Sequence, residues 1–267
     1  MATSIDLKQC LIPDPVDRIR PVSYNERTGH ILPPENNLLQ FYLEDTELFT
    51  HENKMVINTN KTKVMKFSRS RKWDFPPELK FSNGSQVDSI SETKLVGVII
   101  SQNLRWQKNT EYICNKARKK LWILRRLVKL DLDLFTLFDV YTKEVRSILE
   151  LAVPVWHSGL TKLQSSEIER IQKMAFRIIL GSDYSSYEQA CEYFGSDTLE
   201  NRRTKLCLKF AKKNFKSDKC MFTKTSNFVQ TRSKNIVKDY KCRTDRFKKS
   251  SLPYLSKLLN TENKKKG

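Results

Sequence analysis

The chain has 267 residues, of which 39% are hydrophobic and 30% are charged. It is long enough to bury one large core or two small ones, and its few glycines favour a helix-rich fold. No apolar run approaches the roughly 20 residues that a membrane-spanning helix needs, and residues 1–10 lack the apolar core of a signal peptide. These features predict an intracellular protein of the nucleus or the cytoplasm.

The positive charge of the chain is concentrated near its C-terminal end. The formal net charge is +19. Residues 202–267 contain 21 Lys and Arg against 4 Asp and Glu, whereas the residues before them contain 28 against 26. A nearly neutral body with a basic tail is typical of a protein that contacts a polyanion, and we expect nucleic acid as the partner. A tail that only improves solubility is the alternative.

The first part of the chain, residues 1–54, predicts an irregular arm and a short helix. The arm contains five prolines among its first 34 residues, and this spacing interrupts regular structure. The apolar side of the helix is expected to consist of Leu38, Leu39, Tyr42 and Leu43.

The next part, residues 55–106, predicts short strands. Asn83-Gly84, between two runs of strand-forming residues, is the signal of a two-residue hairpin. The apolar run Leu95–Ile100 predicts one buried strand, with Gly97 inside it at a bulge or a close backbone approach. We therefore expect a small antiparallel sheet that leads into a helical region, which is an α+β fold.

Residues 107–216 predict a bundle of helices. Apolar residues recur at spacings of three and four from Ile113 to Val128, and again from Leu134 to Ala152. Asp133 is placed to cap the second of these helices, and Pro154 to disturb its end.

Two further long helices complete the predicted bundle, with a short helix between them whose apolar face runs from Tyr187 to Phe194 and which ends at Gly195. The third is expected to begin near residues 165–166, with acidic side chains such as Glu169 in its first turn, and to end at Gly181. The fourth opens at Thr198 or Asn201. Its outward face is expected to carry Arg202, Arg203, Lys205, Lys212 and Lys213.

The last part, residues 217–267, predicts a basic and partly disordered tail. Its apolar content is low, and only Pro253–Leu255 with Leu258 and Leu259 suggests a short segment that docks on the bundle.

Four segments resemble the reverse transcriptases of non-LTR (LINE-type) retrotransposons, and they occur in the order of that family. MVINTNKTKVMKF (55–67) resembles the Asn-x-x-Lys-Thr motif of the palm domain. Three further segments resemble the end of the palm and the thumb: KLVGVIISQNLRW (94–106), VYTKEVRSILELAVPVW (140–156) and IERIQKMAFRIILG (168–181). The resemblance covers roughly residues 55–215. It implies the end of a palm followed by a helical thumb, which grips the primer-template duplex in this family.

The catalytic carboxylates of the family are expected to be missing. A polymerase needs two palm aspartates that bind divalent ions. The string Phe41–Asp45 superficially resembles the Tyr-x-Asp-Asp turn, but Glu44 and Asp45 lie in a helical pattern shortly before Lys61. We therefore expect the chain to begin downstream of the catalytic turn and to be inactive alone. Mg²⁺ would belong only to a complete family member, so no cofactor is predicted.

No other cofactor or metal site is predicted either. The three histidines are isolated, and the six cysteines are far apart and lack a zinc spacing, so we expect reduced thiols. His157, beside Trp156, is expected to be a partly buried structural residue.

The remaining functional signal is basic residues interleaved with aromatic ones. Lys61 matches the palm lysine of the family, and here we expect it to be structural or to contact phosphate. Trp106 and Trp122 lie among these cations and either line a groove with them or anchor the core, and we expect the core. For the cations, a groove that contacts a duplex and a solvated face are equally compatible with the sequence. The candidate nucleic-acid-binding residues are Lys61, Arg105, Lys116, Lys119, Lys120, Arg125, Arg126, Arg202 and Arg203.

Two alternatives to a polymerase fragment stay open. The chain is also compatible with a domesticated basic module that binds nucleic acid or protein. Residues 92–126 further resemble the N-terminal segment of an AlkB-type tRNA dioxygenase/methyltransferase. Because neither the iron ligands nor a methyl-donor loop is present, that resemblance implies shared sequence and not that activity.

Overall fold

The computed structural model describes residues 38–67, 78–217, 220–223 and 236–266. The predicted irregular arm lies outside the described residues. The described chain is mostly helical with small sheets, in agreement with the α+β class. It divides after Glu92 into two compact units, and this division differs from the boundaries predicted after residues 54, 106 and 216.

Among the described residues, the first unit consists of one helix and short strands. Its elements are α1 (Leu38–Glu52), β1 (Lys63–Val64) and β2 (Asp88–Ser89).

The second unit starts with a hairpin, whose first strand begins at the boundary residue Glu92, and its other described elements are helices. Its strands and longer helices are β3 (Glu92–Leu95), β4 (Val98–Ser101), α2 (Gln107–Val128), α6 (Lys162–Leu180), α8 (Leu199–Lys216) and α10 (Ser251–Lys266). Its shorter helices are α3 (Leu134–Val140), α4 (Ser147–Glu150), α5 (Val153–Trp156), α7 (Tyr187–Tyr193) and α9 (Asp245–Lys248). A π-helical turn (Tyr141–Arg146) joins α3 to α4, and 3₁₀ turns cover His157–Gly159 and Gly181–Asp183.

A small core joins α1 to the predicted hairpin. Leu79, Phe81 and Val87 are buried, and apolar side chains of α1 pack against them. The chain reverses at Asn83-Gly84 as predicted, but the loop has three residues, because the Phe81 N–H donates to the Ser85 carbonyl. The prediction of purely antiparallel pairing was wrong, since β1 and β2 pair in parallel.

The run Leu95–Ile100 is two strands and not one. Val96 and Gly97 form the turn between β3 and β4, with φ angles of 46° and 85°. Positive φ at both central residues is what a tight two-residue hairpin turn requires, and glycine adopts it without a steric penalty. The predicted bulge is therefore a chain reversal, and the exposed Val96 side chain lies at its tip. The alternative prediction of a close approach to Gly97 is confirmed, because a Cβ atom added there would lie 2.8 Å from Leu151 Cδ2.

The second predicted helix is shorter than its apolar pattern suggested. Asp133 caps α3 as predicted, its carboxylate accepting a hydrogen bond from the Thr136 N–H at 2.9 Å. The helical run ends at Glu150, because Leu151 is extended, and Ala152 then adopts a left-handed conformation with φ 51°. Pro154 then lies in the first turn of α5, where proline is tolerated, and does not distort the preceding helix.

The third helix begins earlier than predicted. Thr161 and Gln164 form a reciprocal capping box, so α6 starts at Lys162 and not near residues 165–166. Glu169 is consequently beyond the first turn. Its carboxylate instead accepts hydrogen bonds from the Leu199 and Glu200 N–H groups and caps α8. The predicted opening of α8 after Thr198 and the end of α6 at Gly181 are confirmed.

A buried amide connects the helices of the second unit. The Tyr141 hydroxyl donates to Gln172 Oε1 at 2.7 Å. Gln172 Nε2 donates to the Tyr187 hydroxyl at 2.9 Å and to the Asp197 carbonyl at 3.1 Å. Gln172 on α6 therefore ties together the π-helical turn, α7 and the segment that leads into α8.

Part of the predicted tail packs into the core, whereas residues 218–219, 224–235 and 267 of it lie outside the described residues. Leu255 and Leu259 on α10 are buried, and α10 packs against α8 and α5. The docking segment is thus a full helix of 16 residues. No helix in the described ranges is both long and apolar enough to cross a membrane.

Replacing the buried amide tests this arrangement. Gln172→Leu should lower the free energy of unfolding by about 1–3 kcal/mol, because it leaves the Tyr141 hydroxyl and the Asp197 carbonyl without their partner. Urea unfolding curves, monitored by circular dichroism, measure the change in unfolding free energy. Gln102→Leu, at an exposed position, is the control and should shift it by no more than about 0.5 kcal/mol. Equal unfolding free energies for the two variants would contradict the role of Gln172.

Candidate nucleic-acid interface

The outer face of α2 carries a continuous basic and aromatic surface. The helix buries Ile113, Ala117, Leu121 and Leu124. At 3.6 residues per turn, the opposite face presents five exposed side chains, which we call the α2 stripe. The α2 stripe consists of Arg118, Lys119, Trp122, Arg125 and Arg126.

The cations of the α2 stripe are available to a ligand. Arg118 Nη1 donates to Asn115 Oδ1 at 2.8 Å, and the Arg126 guanidinium lies 5.7 Å from the centre of the Trp122 ring. Within the described residues, none of the four cations forms an ion pair with a carboxylate. Their charge is therefore not neutralised by the described part of the protein.

Trp122 is an exposed residue and not a core residue. Its side chain is 53% exposed, so the prediction that it anchors the core was wrong. Trp106, in contrast, is buried as predicted. A Cβ atom added to Gly159 would lie 2.4 Å from Trp106 Nε1, so only glycine permits this contact. Trp106 thereby packs the start of α2 against the loop before α6.

The other predicted cations of this helix differ in their surroundings. Lys120 lies to the side of the α2 stripe and pairs with Glu144 of the π-helical turn, Nζ to Oε2 at 2.8 Å. Lys116 is exposed at the edge of the α2 stripe. Arg105 is exposed in the loop before α2, and its N–H donates to Asn103 Oδ1 at 2.9 Å. Of the α2 cations predicted to bind nucleic acid, Lys120 is thus the one that pairs with a carboxylate among the described residues.

Arg202 has a structural partner. Its guanidinium makes a two-pronged contact with Glu150, with distances of 2.5 Å from Nε to Oε1 and 3.1 Å from Nη2 to Oε2. This contact raises the pKa of Arg202 above its ordinary value. The bridge links α8 to α4. The prediction that Arg202 projects into solvent was therefore wrong.

Arg203 was predicted to face outward, and the structure buries it completely. Nη2 donates to Ser165 Oγ at 2.7 Å, and Nε donates to His157 Nδ1 at 3.3 Å. Burial lowers the pKa of the guanidinium. A phosphate outside the protein cannot reach this side chain, so Arg203 is removed from the candidate interface.

The first unit contains Lys61 and the two carboxylates near it in sequence. Lys61 is exposed on a turn in which its N–H donates to the Asn58 carbonyl at 3.0 Å. Glu44 and Asp45 lie within α1, as their helical pattern predicted. Within the described residues, no group of three or more His, Cys, Asp or Glu side chains is placed to hold a metal ion.

Known proteins provide no further evidence about this surface. No protein-family model matches the chain, and no curated protein or solved structure matches it. The resemblance to reverse transcriptases therefore stays a prediction, and a functional proposal has to start from the α2 stripe.

Sequence reasoning found most of the α2 stripe but missed two members. Arg118 is not among the predicted binding residues, although it lies four residues before Trp122 and seven before Arg125, which is the spacing of one helical face. Trp122 is predicted to lie in the core. Helical spacing from the buried Ala117 and Leu121 would have placed both residues outside.

His157 makes stability depend on pH. Burial and the nearby Arg203 charge lower its pKa from 6.5 to about 4, so the folded protein holds a neutral imidazole that accepts from Arg203. Because the unfolded chain binds this proton more readily, the stabilisation is complete above about pH 6.5 and is lost as the pH falls towards 4. The unfolding free energy should therefore decrease from about pH 7 to pH 5, and less steeply in His157→Asn. Identical pH dependence in both proteins would show that the imidazole is not held neutral.

Proposed function

We propose that the chain binds a nucleic-acid duplex through the α2 stripe. The observation that carries this proposal is a row of four exposed cations around an exposed indole, with no carboxylate paired to them among the described residues. Lysine and arginine contact phosphates without regard to sequence, so the proposed binding is sequence-independent and weakens with salt.

The dimensions of the α2 stripe suit a phosphate backbone. Arg118 to Arg126 spans eight helical steps, or about 12 Å. Successive phosphates of one strand are separated by about 3.4 Å along the duplex axis, so this length faces roughly three or four of them. We propose that Arg118, Lys119, Arg125 and Arg126 contact those phosphates.

The resemblance to reverse transcriptases indicates which kind of duplex the α2 stripe binds. We propose that the chain is a fragment of a non-LTR retrotransposon reverse transcriptase, with the end of the palm and a thumb-like bundle. An RNA–DNA hybrid is then the expected ligand. The proposal assigns binding to this chain and no polymerase chemistry, because the residues that resemble the family are those that follow the catalytic turn.

Neutralising the α2 stripe tests the proposed function. The combined variant Arg118→Gln, Lys119→Gln, Arg125→Gln and Arg126→Gln should bind an RNA–DNA hybrid at least tenfold more weakly. The slope of log affinity against log salt should become shallower by about 0.9 for each phosphate that the variant no longer neutralises. Fluorescence anisotropy at several salt concentrations measures both quantities.

The control for this variant removes the same charge elsewhere. Lys209, Lys213, Lys216 and Lys257 are exposed on α8 and α10, and their replacement by Gln should change hybrid affinity much less. If the two variants lose equal affinity, the hybrid responds only to net charge, and the α2 stripe is not the interface.

Trp122 offers a test that leaves the charge unchanged. Trp122→Ala should lower the unfolding free energy by no more than about 1–2 kcal/mol and leave the protein folded, because the indole is only half buried. It should still weaken hybrid binding several-fold with an unchanged salt slope, since the ring contributes contact area and not charge. Unchanged affinity would remove Trp122 from the interface.

A further inference from the structure

A second basic surface lies on the segment that precedes α10. Within residues 238–249, which we call the anchored segment, six cations are exposed against two acidic residues. The six cations are Lys238, Lys241, Arg243, Arg246, Lys248 and Lys249. None of them forms an ion pair in the described part of the chain.

The backbone before this segment is fixed by a buried asparagine. Asn260 Oδ1 accepts from the Ile236 and Val237 N–H groups, both at 3.1 Å. Asn260 Nδ2 donates to the Val237 carbonyl and to Asp239 Oδ1, both at 2.9 Å. The Asn260 amide is therefore fully used, and the Val237 side chain is completely buried beside it.

Two more contacts shape the segment. The Lys238 N–H donates to the Thr223 carbonyl at 2.9 Å, and Thr244 Oγ1 accepts from the Phe247 N–H at 3.3 Å to cap α9. The cations are thus presented from a folded backbone and not from a disordered tail. One of the two acidic residues, Asp239, is already engaged by Asn260.

An aromatic pair lies among these cations. The Tyr240 and Phe247 rings contact edge to face, with their centres 6.2 Å apart. Phe247 is 36% exposed, and its neighbours in sequence are Arg246 and Lys248. Exposed aromatic rings flanked by cations are the arrangement on which single-stranded nucleic acids bind, with bases stacked on rings and phosphates on cations.

We infer that the anchored segment is a binding site for single-stranded nucleic acid. Arg246 and Lys248 contact phosphates on either side of a base that stacks on Phe247. The remaining cations contact further phosphates along the nucleic-acid strand. This site is built on different elements from the α2 stripe, since the anchored segment is held by α10, whereas α2 packs mainly on α6. The inference does not depend on the proposed duplex binding.

The test uses the full chain and a fluorescent oligouridine of about 16 nucleotides, near the upper end of common site sizes. The combined variant Lys241→Gln, Arg243→Gln, Arg246→Gln and Lys248→Gln should bind it at least tenfold more weakly and with a shallower salt slope. The charge-matched control is the four-residue Gln variant of the α2 stripe, which should retain most of its single-strand affinity. If both variants lose the same affinity, the segment acts only through net charge, and the inference is wrong.

A second variant separates base stacking from charge. Phe247→Ala should weaken oligouridine binding about fivefold or more with an unchanged salt slope, while binding to heparin, a polyanion without bases, stays the same. Thermal unfolding checks that the variant is folded. Unchanged oligouridine affinity, or an equal loss for heparin, would overturn the assignment of a base to Phe247.

The two proposals fail in different ways. Loss of hybrid binding in the α2 stripe variant, with full single-strand binding in the anchored-segment variant, would support the proposed function and overturn this inference. The opposite pair of results would overturn the proposed function and support this inference.

Discussion

The hydrogen bonds of Gln172 organise the helical unit that presents α2. The amide accepts from Tyr141 and donates to Tyr187 and to the Asp197 carbonyl, so its polar atoms are used inside the core. In surroundings of low polarity such bonds are strong, and an unmade one is costly. The amide therefore favours one arrangement of the helices over others with similar apolar burial. Because α2 packs mainly on α6, which carries Gln172, its orientation depends on this network.

Burial divides the basic residues into structural and solvent-facing groups. Arg202 and Lys120 neutralise Glu150 and Glu144, and Arg203 is enclosed beside His157. These side chains stabilise contacts between elements of the bundle. The α2 stripe and the anchored segment carry cations without such partners in the described chain. The net charge of +19 thus overstates the charge that a ligand can contact, and the position of the unpaired cations is more informative.

Local sequence signals predict where many helices and turns begin and end. The burial of individual side chains and the packing of distant segments depend on long-range contacts, which the sequence does not reveal. The cap at Asp133 and the chain reversal at Asn83-Gly84 follow from side chains that act on their own backbone. The burial of Arg203 could not be predicted, because it depends on His157 and Ser165, which are distant in sequence. Leu258 and Leu259 indicate a docking segment. The attachment of residues 236–237 to that segment depends on Asn260, whose hydrogen-bond partners precede it by more than 20 residues and could not be paired with it from sequence. Similarly, the sequence predicts one strand where the structure has β3 and β4, because apolar residues continue through the turn at Val96.

The central claim is that the outer face of α2 contacts a nucleic-acid duplex. Photo-crosslinking tests it most directly, with 4-thiouridine placed in the RNA strand of an RNA–DNA hybrid and the attached peptides identified by mass spectrometry. The account predicts crosslinks within residues 115–129, including Trp122, and their disappearance when unlabelled hybrid is added in excess. Crosslinks confined to other parts of the chain, with none in α2 at saturating hybrid, would contradict it.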